Sequence, residues 1–170
     1  MNAELGHFAL ILALPLSLLL GVLPLVGAWR RDARLMAVAP AAAAGSFVFV
    51  LLAFACLIAA FIQNDFSVAL VAKHSNTALP FWYRVAASWG SHEGSILLWV
   101  LTLTGWTCAV AMFSAQLPAT LRARVLATMG LIAFGFLLFV LFTSNPFERM
   151  VPAAPDGRDL NPLLQDPGMV

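Results

Sequence analysis

The chain has 170 residues with a formal net charge of +1; 62% are hydrophobic, 10% are charged, and the mean hydropathy is +0.92. Because soluble domains carry about 25% charged residues, this composition excludes an ordinary soluble domain and indicates an integral membrane protein. The near-neutral charge also excludes the basic surface that a nucleic-acid partner would require.

Four uncharged runs are long enough to cross a bilayer, which takes about 20 apolar residues. The predicted spans lie near 7–28, 40–62, 94–114 and 125–143. Together they form a transmembrane region over residues 1–144, in which the segment 63–93 lies outside the membrane. The predicted fold is an all-α polytopic membrane protein of about four helices, with an interfacial helix around 80–92.

Arginine placement predicts the orientation of these spans. Arginines cluster in the connection after the first span and in the connection before the fourth, at Arg30, Arg31, Arg34, Arg122 and Arg124. Basic connections favour the cytoplasmic side. The N-terminus, the segment 63–93 and the C-terminal tail are therefore expected on the opposite side.

The tail over 145–170 has a different composition, since half of the ten prolines lie in these last 26 residues. Asn-Pro, Asp-Gly and Asp-Pro pairs are turn signals. We expect an irregular, extended and water-exposed segment. The tail stops at Val170 without a closing helix, so we also expect the chain to be a fragment of a longer product or one piece of a split protein.

Cys56 and Cys108 lie inside apolar runs, and the chain has no Cys-x-x-Cys or Cys-x-x-Cys-His motif. Those motifs encode zinc sites and covalent haem attachment, so neither is expected, and no metal-ligand set is predicted. Nothing in the sequence resembles a nucleophile with its base, so catalytic residues stay unknown.

An aromatic cluster before the third span is the strongest candidate site. If residues 82–99 are helical, steps of three and four place a set of side chains on one face. The set is Trp82, Val85, Trp89, His92, Ile96 and Trp99. Two interpretations stay open: an aromatic belt at the membrane interface, or a surface for a flat apolar cofactor.

The three histidines and one neighbouring acid are interpreted separately. His92 could ligate a metal or haem iron, or it could be a water-exposed residue at the helix mouth. Glu93 points about 100° away from it on a helix, and we expect it to cap the third span. His7 begins the first span, and His74 is expected in a solvated loop.

Several long motifs occur in order along the chain. They are Asn64-Asp65-Phe66, Ser75-Asn76-Thr77, Trp82-Tyr83-Arg84-Val85-Ala86-Ala87, Trp89-Gly90-Ser91-His92-Glu93-Gly94-Ser95, Thr143-Ser144-Asn145-Pro146-Phe147 and the run 156–168. Together they resemble the amino-terminal part of the CcmF family, the haem lyases of bacterial cytochrome c biogenesis. The resemblance covers nearly the whole chain in register.

The resemblance implies a multi-pass protein of the bacterial inner membrane, with its N-terminus and tail in the periplasm. Its implied partners are a haem chaperone, apocytochrome c, other cytochrome c maturation membrane proteins and the lipid bilayer. The full-length family carries haem b. Its haem-ligand histidines and tryptophan-rich WWD segment lie beyond Val170, so no ligand role transfers to His7, His74 or His92.

The predicted function is the amino-terminal part of a cytochrome c haem lyase, which takes part in haem delivery and attachment. Trp82, Trp89, His92 and Trp99 are the candidate haem-platform or partner surface. Whether the chain alone is an enzyme stays open. One alternative is a non-catalytic scaffold or partner-docking subunit, and another is the related lyase that matures nitrite reductase. A transporter or channel would place charged residues within the spans, which these spans lack.

Overall fold

The computed structural model describes residues 1–160, and these residues form seven helices and no strand. The helices are α1 (Asn2–Arg30), α2 (Ala33–Met36), α3 (Ala39–Ile62), α4 (Ala69–His74), α5 (Phe81–Ala87), α6 (His92–Phe113) and α7 (Ala119–Phe142). Four helical stretches are long and apolar enough to cross a membrane: Asn2–Arg30, Ala33–Ile62, His92–Phe113 and Ala119–Phe142. The predicted all-α polytopic membrane fold is confirmed.

The four long helices form a bundle in the ring order α1, α3, α6, α7. Helix α1 packs against α3 and α7, and α6 packs against the same two neighbours from the opposite corner. The α1–α7 contact is close because both helices present glycine: a Cβ on Gly130 would lie 2.9 Å from the backbone nitrogen of Gly21. Small residues that let two backbones approach are typical of packed membrane helices.

A buried hydroxyl pair joins α1 to α3. The Oγ atoms of Ser17 and Ser46 lie 2.8 Å apart, and the Ser17 hydroxyl also lies 2.9 Å from the carbonyl of Ala13, to which it donates. Ser17 is fully buried and Ser46 is 2% exposed. The two serines therefore satisfy each other inside an otherwise apolar interface, where an unpaired hydroxyl would be costly.

The bundle has two chemically different ends. The arginine end comprises the end of α1, all of α2, the start of α3, the end of α6 and the start of α7. Arg122 and Arg124 lie in the first turns of α7 rather than in a loop, because α7 begins at Ala119. The opposite end, called the His92 end below, contains the start of α1, the end of α3, the start of α6 and the end of α7.

Two chain segments cover the His92 end. Residues 63–91, which include α4 and α5, pair with residues 143–160 through backbone hydrogen bonds. The bonds run from Ala69 N–H to Glu148 C=O, from Met150 N–H to Ser67 C=O and from Arg158 N–H to Ala72 C=O, each 2.8 Å long. The Arg149 guanidinium adds ion pairs with Glu4 at the start of α1 and with Asp65.

The tail differs from its prediction. Residues 145–160 are irregular, as expected, but they are not simply water-exposed, since Phe147 and Leu160 are only 5% and 3% exposed. Phe147 lies directly over Gly6, where an added Cβ would collide with its ring. The prolines mark the irregular backbone, whereas burial of these two apolar side chains holds the segment on the bundle. The remaining tail prediction, over 161–170, lies outside the described residues.

Candidate functional site

The predicted continuous helical face over residues 82–99 is not formed. Helix α5 ends at Ala87, the chain turns over residues 88–91, and α6 begins at His92. The interfacial helix predicted around 80–92 is therefore shorter than expected. The aromatic residues before and after the turn belong to two helices with separate faces.

The Trp89–Ser95 motif builds this turn. The hydroxyl of Ser91 caps α6 by accepting the backbone N–H of Gly94 over 3.2 Å, and the hydroxyl of Ser95 donates to the carbonyl of Trp89 over 2.5 Å. Gly94 is required because a Cβ there would lie 1.8 Å from the carbonyl oxygen of Ser88. The serines and the glycine thus determine where α6 starts, and they place His92 in its first turn.

Glu93 was predicted to cap the third span; it lies in the first turn of α6, as an interaction with the helix dipole requires, but the residue that accepts the capping hydrogen bond is Ser91. Ser91 has the extended backbone and the accepting side chain of an N-cap residue. Glu93 lies two residues after Ser91, where its carboxylate interacts favourably with the helix dipole. His74 was misplaced: it is the last residue of α4, and its Nδ1 lies 3.1 Å from the carbonyl of Leu70 rather than in a solvated loop.

The His92 side chain is exposed but oriented. Its Nδ1 lies 3.1 Å from Oγ of Ser144, in the turn that follows α7, and its ring meets Phe139 edge-on at a centroid distance of 6.1 Å. When Nδ1 carries the proton, the ring donates to Ser144 and the lone pair is on Nε2. A histidine held this way is suited to offer Nε2 to a ligand.

A second histidine lies at the same turn, and sequence reasoning missed it. The side-chain nitrogen of Asn145 lies 3.3 Å from Nδ1 of His7, in the first turns of α1. Ser144 and Asn145 therefore each contact one histidine, on two different helices. The motif Thr143–Phe147 was a signal for this site, but only the folded bundle shows which residues it meets.

The four candidate residues fall into two groups: Trp89, His92 and Trp99 belong to the turn and to α6, whereas Trp82 belongs to α5. Trp89 is half-buried against the core, adjacent to the turn that presents His92. Trp99 is 71% exposed and lies seven residues after His92 on α6, so it shares the same face about 10 Å further along the axis. Trp82 is also 71% exposed but lies on α5, where it packs edge-on against Phe81.

The exposed face of α6 extends beyond the predicted set. Trp106 and Phe113 follow Trp99 at further steps of seven and are 70% and 74% exposed. Steps of seven keep side chains on nearly one face of a helix. His92 therefore stands at the top of an aromatic stripe that runs the length of α6.

The donor chemistry around His92 fits one face of a haem site. The Nε2 atom of His92 and the exposed ring of Trp99 on the same face are groups that iron and a porphyrin ring would contact. Because His92 is exposed, the other face would have to come from additional protein. Among residues 1–160, no group of three or more His, Cys, Asp or Glu side chains could hold a metal ion.

Comparison with known proteins identifies the family. The cytochrome c-type biogenesis protein CcmF of Pseudomonas aeruginosa is 60% identical over 171 aligned residues, which include the whole of this chain. The CcmF of Escherichia coli is 58% identical over the same length. The chain belongs to the CcmF family. It spans about a quarter of these relatives, 26% of each.

A solved structure and a family model both agree with the assignment to the CcmF family. The solved structure of a CcmF described as a cytochrome c heme lyase matches 87% of this chain and 25% of its own, with a TM-score of 0.80 and 32% identity. The family model described as Cytochrome C assembly protein matches residues 89–170. The cytochrome c-type biogenesis protein NrfE of Haemophilus influenzae is also similar, at 43% identity over the whole chain and 27% of its own length.

Proposed function

We propose that this chain serves as the amino-terminal part of a cytochrome c haem lyase, which takes part in haem delivery and attachment to apocytochrome c. The observation that carries the proposal is the 60% identity to a CcmF along the entire chain. The lower identity of 43% to an NrfE favours CcmF chemistry over that of the nitrite reductase system. Partners would be a haem chaperone, apocytochrome c and other maturation membrane proteins.

The proposed location is the bacterial inner membrane, with the His92 end in the periplasm. The support is charge: five arginines, Arg30, Arg31, Arg34, Arg122 and Arg124, belong to the opposite end. Single cysteines in a Cys56→Ala, Cys108→Ala background test this arrangement. A cysteine at Thr77 should react with an impermeant maleimide in intact cells, and one at Arg124 should react only after lysis. The reverse pattern would overturn the orientation.

Lyase chemistry joins each vinyl group of haem to a cysteine thiol. The thiol sulfur bonds to one vinyl carbon and its hydrogen goes to the other, so the step needs no oxidant. What a protein contributes is position: it holds the ring and brings the thiol alongside. We propose that the turn at residues 88–91 positions His92, and that Trp89 and Trp99 contribute apolar surface for haem or for a partner.

The role of this surface is tested in the full-length lyase. His92→Ala and Trp89→Ala should each lower the yield of haem-stained cytochrome c at unchanged lyase levels. His74→Ala and Trp29→Ala are matched controls, since the His74 ring contacts the Leu70 carbonyl of its own short helix and Trp29 lies at the arginine end. A wild-type yield of cytochrome c in both His92→Ala and Trp89→Ala would show that this surface has no role in haem attachment.

The Soret absorption band of the purified lyase distinguishes a non-catalytic scaffold role from a haem-binding role. If residues 82–99 only recruit other maturation proteins, His92→Ala should lower the yield without changing the Soret band of the purified lyase. If they form part of a haem surface, the same variant should shift or weaken that band. Measuring both quantities on one preparation separates the two roles.

A further inference from the structure

A cavity of about 220 Å³ lies at the arginine end, away from the site described above. It is enclosed by α2, the start of α3 and the start of α7. Its apolar walls include Ala33 and Met36 from α2, Ala39 and Pro40 from α3, and Ala123 and Leu126 from α7. A single charged side chain, Arg122, completes the lining.

Arg122 is incompletely paired in this position. Its Nη2 donates to the carbonyl of Ala111 near the end of α6. Its Nε is buried, and within residues 1–160 it is the one buried side-chain nitrogen or oxygen without a hydrogen-bond partner. Leaving a buried donor of a charged group unpaired is costly. The arginine that borders the cavity thus has one donor without a partner among residues 1–160.

The surrounding charge selects an anionic acceptor. Arg30, Arg31, Arg34 and Arg124 belong to the same end of the bundle, against the single acid Asp32. The Asp32 carboxylate already accepts the backbone N–H of Arg34 over 2.8 Å. Helices α3 and α7 both begin at this cavity without a side-chain cap, so their positive dipole ends add to the field.

We propose that this cavity binds an anionic phospholipid, with the phosphate on Arg122 and the first part of an acyl chain against the apolar wall. A soluble anion would gain only the arginine, whereas a phospholipid matches both the charge and the apolar lining. Basic pockets between membrane helices are known to hold anionic headgroups. The proposal is independent of the lyase function and concerns a different end of the protein.

Native mass spectrometry of the purified chain, titrated with phosphatidylglycerol, tests the site. Arg122→Gln should weaken phosphatidylglycerol binding by about tenfold, as expected when a charge-assisted hydrogen bond is lost. Arg124→Gln is the matched control: it removes the same charge two residues away, from a separate groove shared with Trp29. It should change affinity by less than about twofold, since exposed charges interact weakly.

A second variant keeps Arg122 intact. Ala37 is exposed and lines the cavity, so Ala37→Leu should fill the space without disturbing the core. It should weaken phosphatidylglycerol binding while circular dichroism and thermal unfolding stay unchanged. If Arg122→Gln does not fold, Ala37→Leu alone decides the question.

Three results would overturn the proposal. Equal losses in Arg122→Gln and Arg124→Gln would mean diffuse attraction by surface charge. Equal binding of phosphatidylcholine by the wild type would mean that the site does not select anionic lipids. Displacement of phosphatidylglycerol by glycerol phosphate at equal concentration would mean a soluble anion site, in which the apolar wall contributes nothing.

Discussion

Nδ1 of His92 lies 3.1 Å from Oγ of Ser144, although 52 positions separate the two residues in the chain. The contact joins the first turn of α6 to the turn after α7. Asn145 makes the corresponding contact with His7 on α1. Two neighbouring residues after α7 thus contact His7 and His92, and they link the starts of two helices that are not neighbours in the ring.

The His92–Ser144 contact should be measurable as a coupling energy. His92→Ala and Ser144→Ala should each lower the free energy of unfolding by about 1 kcal/mol, the usual net value of one hydrogen bond. Because both remove the same bond, the double variant should cost less than the sum. Denaturant unfolding in detergent micelles measures this. The His74→Ala, Ser144→Ala pair should be additive, and additivity of the His92 pair would refute the contact.

Two glycines give opposite expectations for the same substitution. Gly94→Ala should destabilise the protein by about 2 kcal/mol or more, because the new Cβ would lie 1.8 Å from the backbone oxygen of Ser88. Gly135→Ala on α7 is the control, since nothing lies within 4 Å of its Cβ position. It should be neutral or stabilising, as alanine has the higher helix propensity. Thermal unfolding of both variants is the measurement, and similar melting temperatures would contradict the turn.

Alanine substitutions of Ser17 and of Ser46 should lower the free energy of unfolding by different amounts. Ser17→Ala deprives the buried Ser46 hydroxyl of its partner, whereas Ser46→Ala leaves Ser17 bonded to the Ala13 carbonyl. We expect the first variant to cost about 1 kcal/mol and the second about half as much, in the range of hydrogen bonds within membranes. The double variant should be no worse than Ser17→Ala alone. Unfolding free energies of the three variants test the order.

Asp156 makes the covering segment sensitive to acid. The backbone N–H of Gly157 and the hydroxyl of Thr77 lower the pKa of Asp156 below its ordinary value. Because the folded-state pKa is depressed, this contact contributes stability above the unfolded pKa of about 3.9 and loses it as pH falls through the folded pKa. The protection factor of the Thr77 amide, which donates its N–H to Asp156, should therefore fall in acid when exchange is compared with the intrinsic rate at each pH.

Substitutions separate this effect from general acid unfolding. Asp156→Asn should remove the acid dependence of the Thr77 protection factor and leave that factor low at neutral pH. Asp159→Asn is the matched control, since Asp159 accepts the neighbouring backbone N–H of Leu160 and not that of Thr77. An unchanged pH profile in Asp156→Asn would show that another group holds the segment.

The aromatic segment shows how far sequence reasoning reached. The residues of Trp89–Ser95 marked an unusual segment, and spacing alone placed His92 and Trp99 on one face, as α6 does. Periodicity could not show the break at residues 88–91, because Gly90 and Gly94 are compatible with either a weak helix or a turn. The break depends on Ser91 and Ser95 bonding to particular backbone groups, which no spacing rule reports.

The sequence by itself determined the membrane class, the four apolar helices, the arginine asymmetry and the CcmF family. These follow from composition, run length and local motifs, whose energetics depend on each residue and its solvent. Only the tertiary structure decided that residues 143–160 cover the His92 end, that Ser144 and Asn145 hold two histidines, and that Arg122 closes a cavity. Such contacts join positions far apart in the chain, and they exist only after helix packing has determined which faces meet.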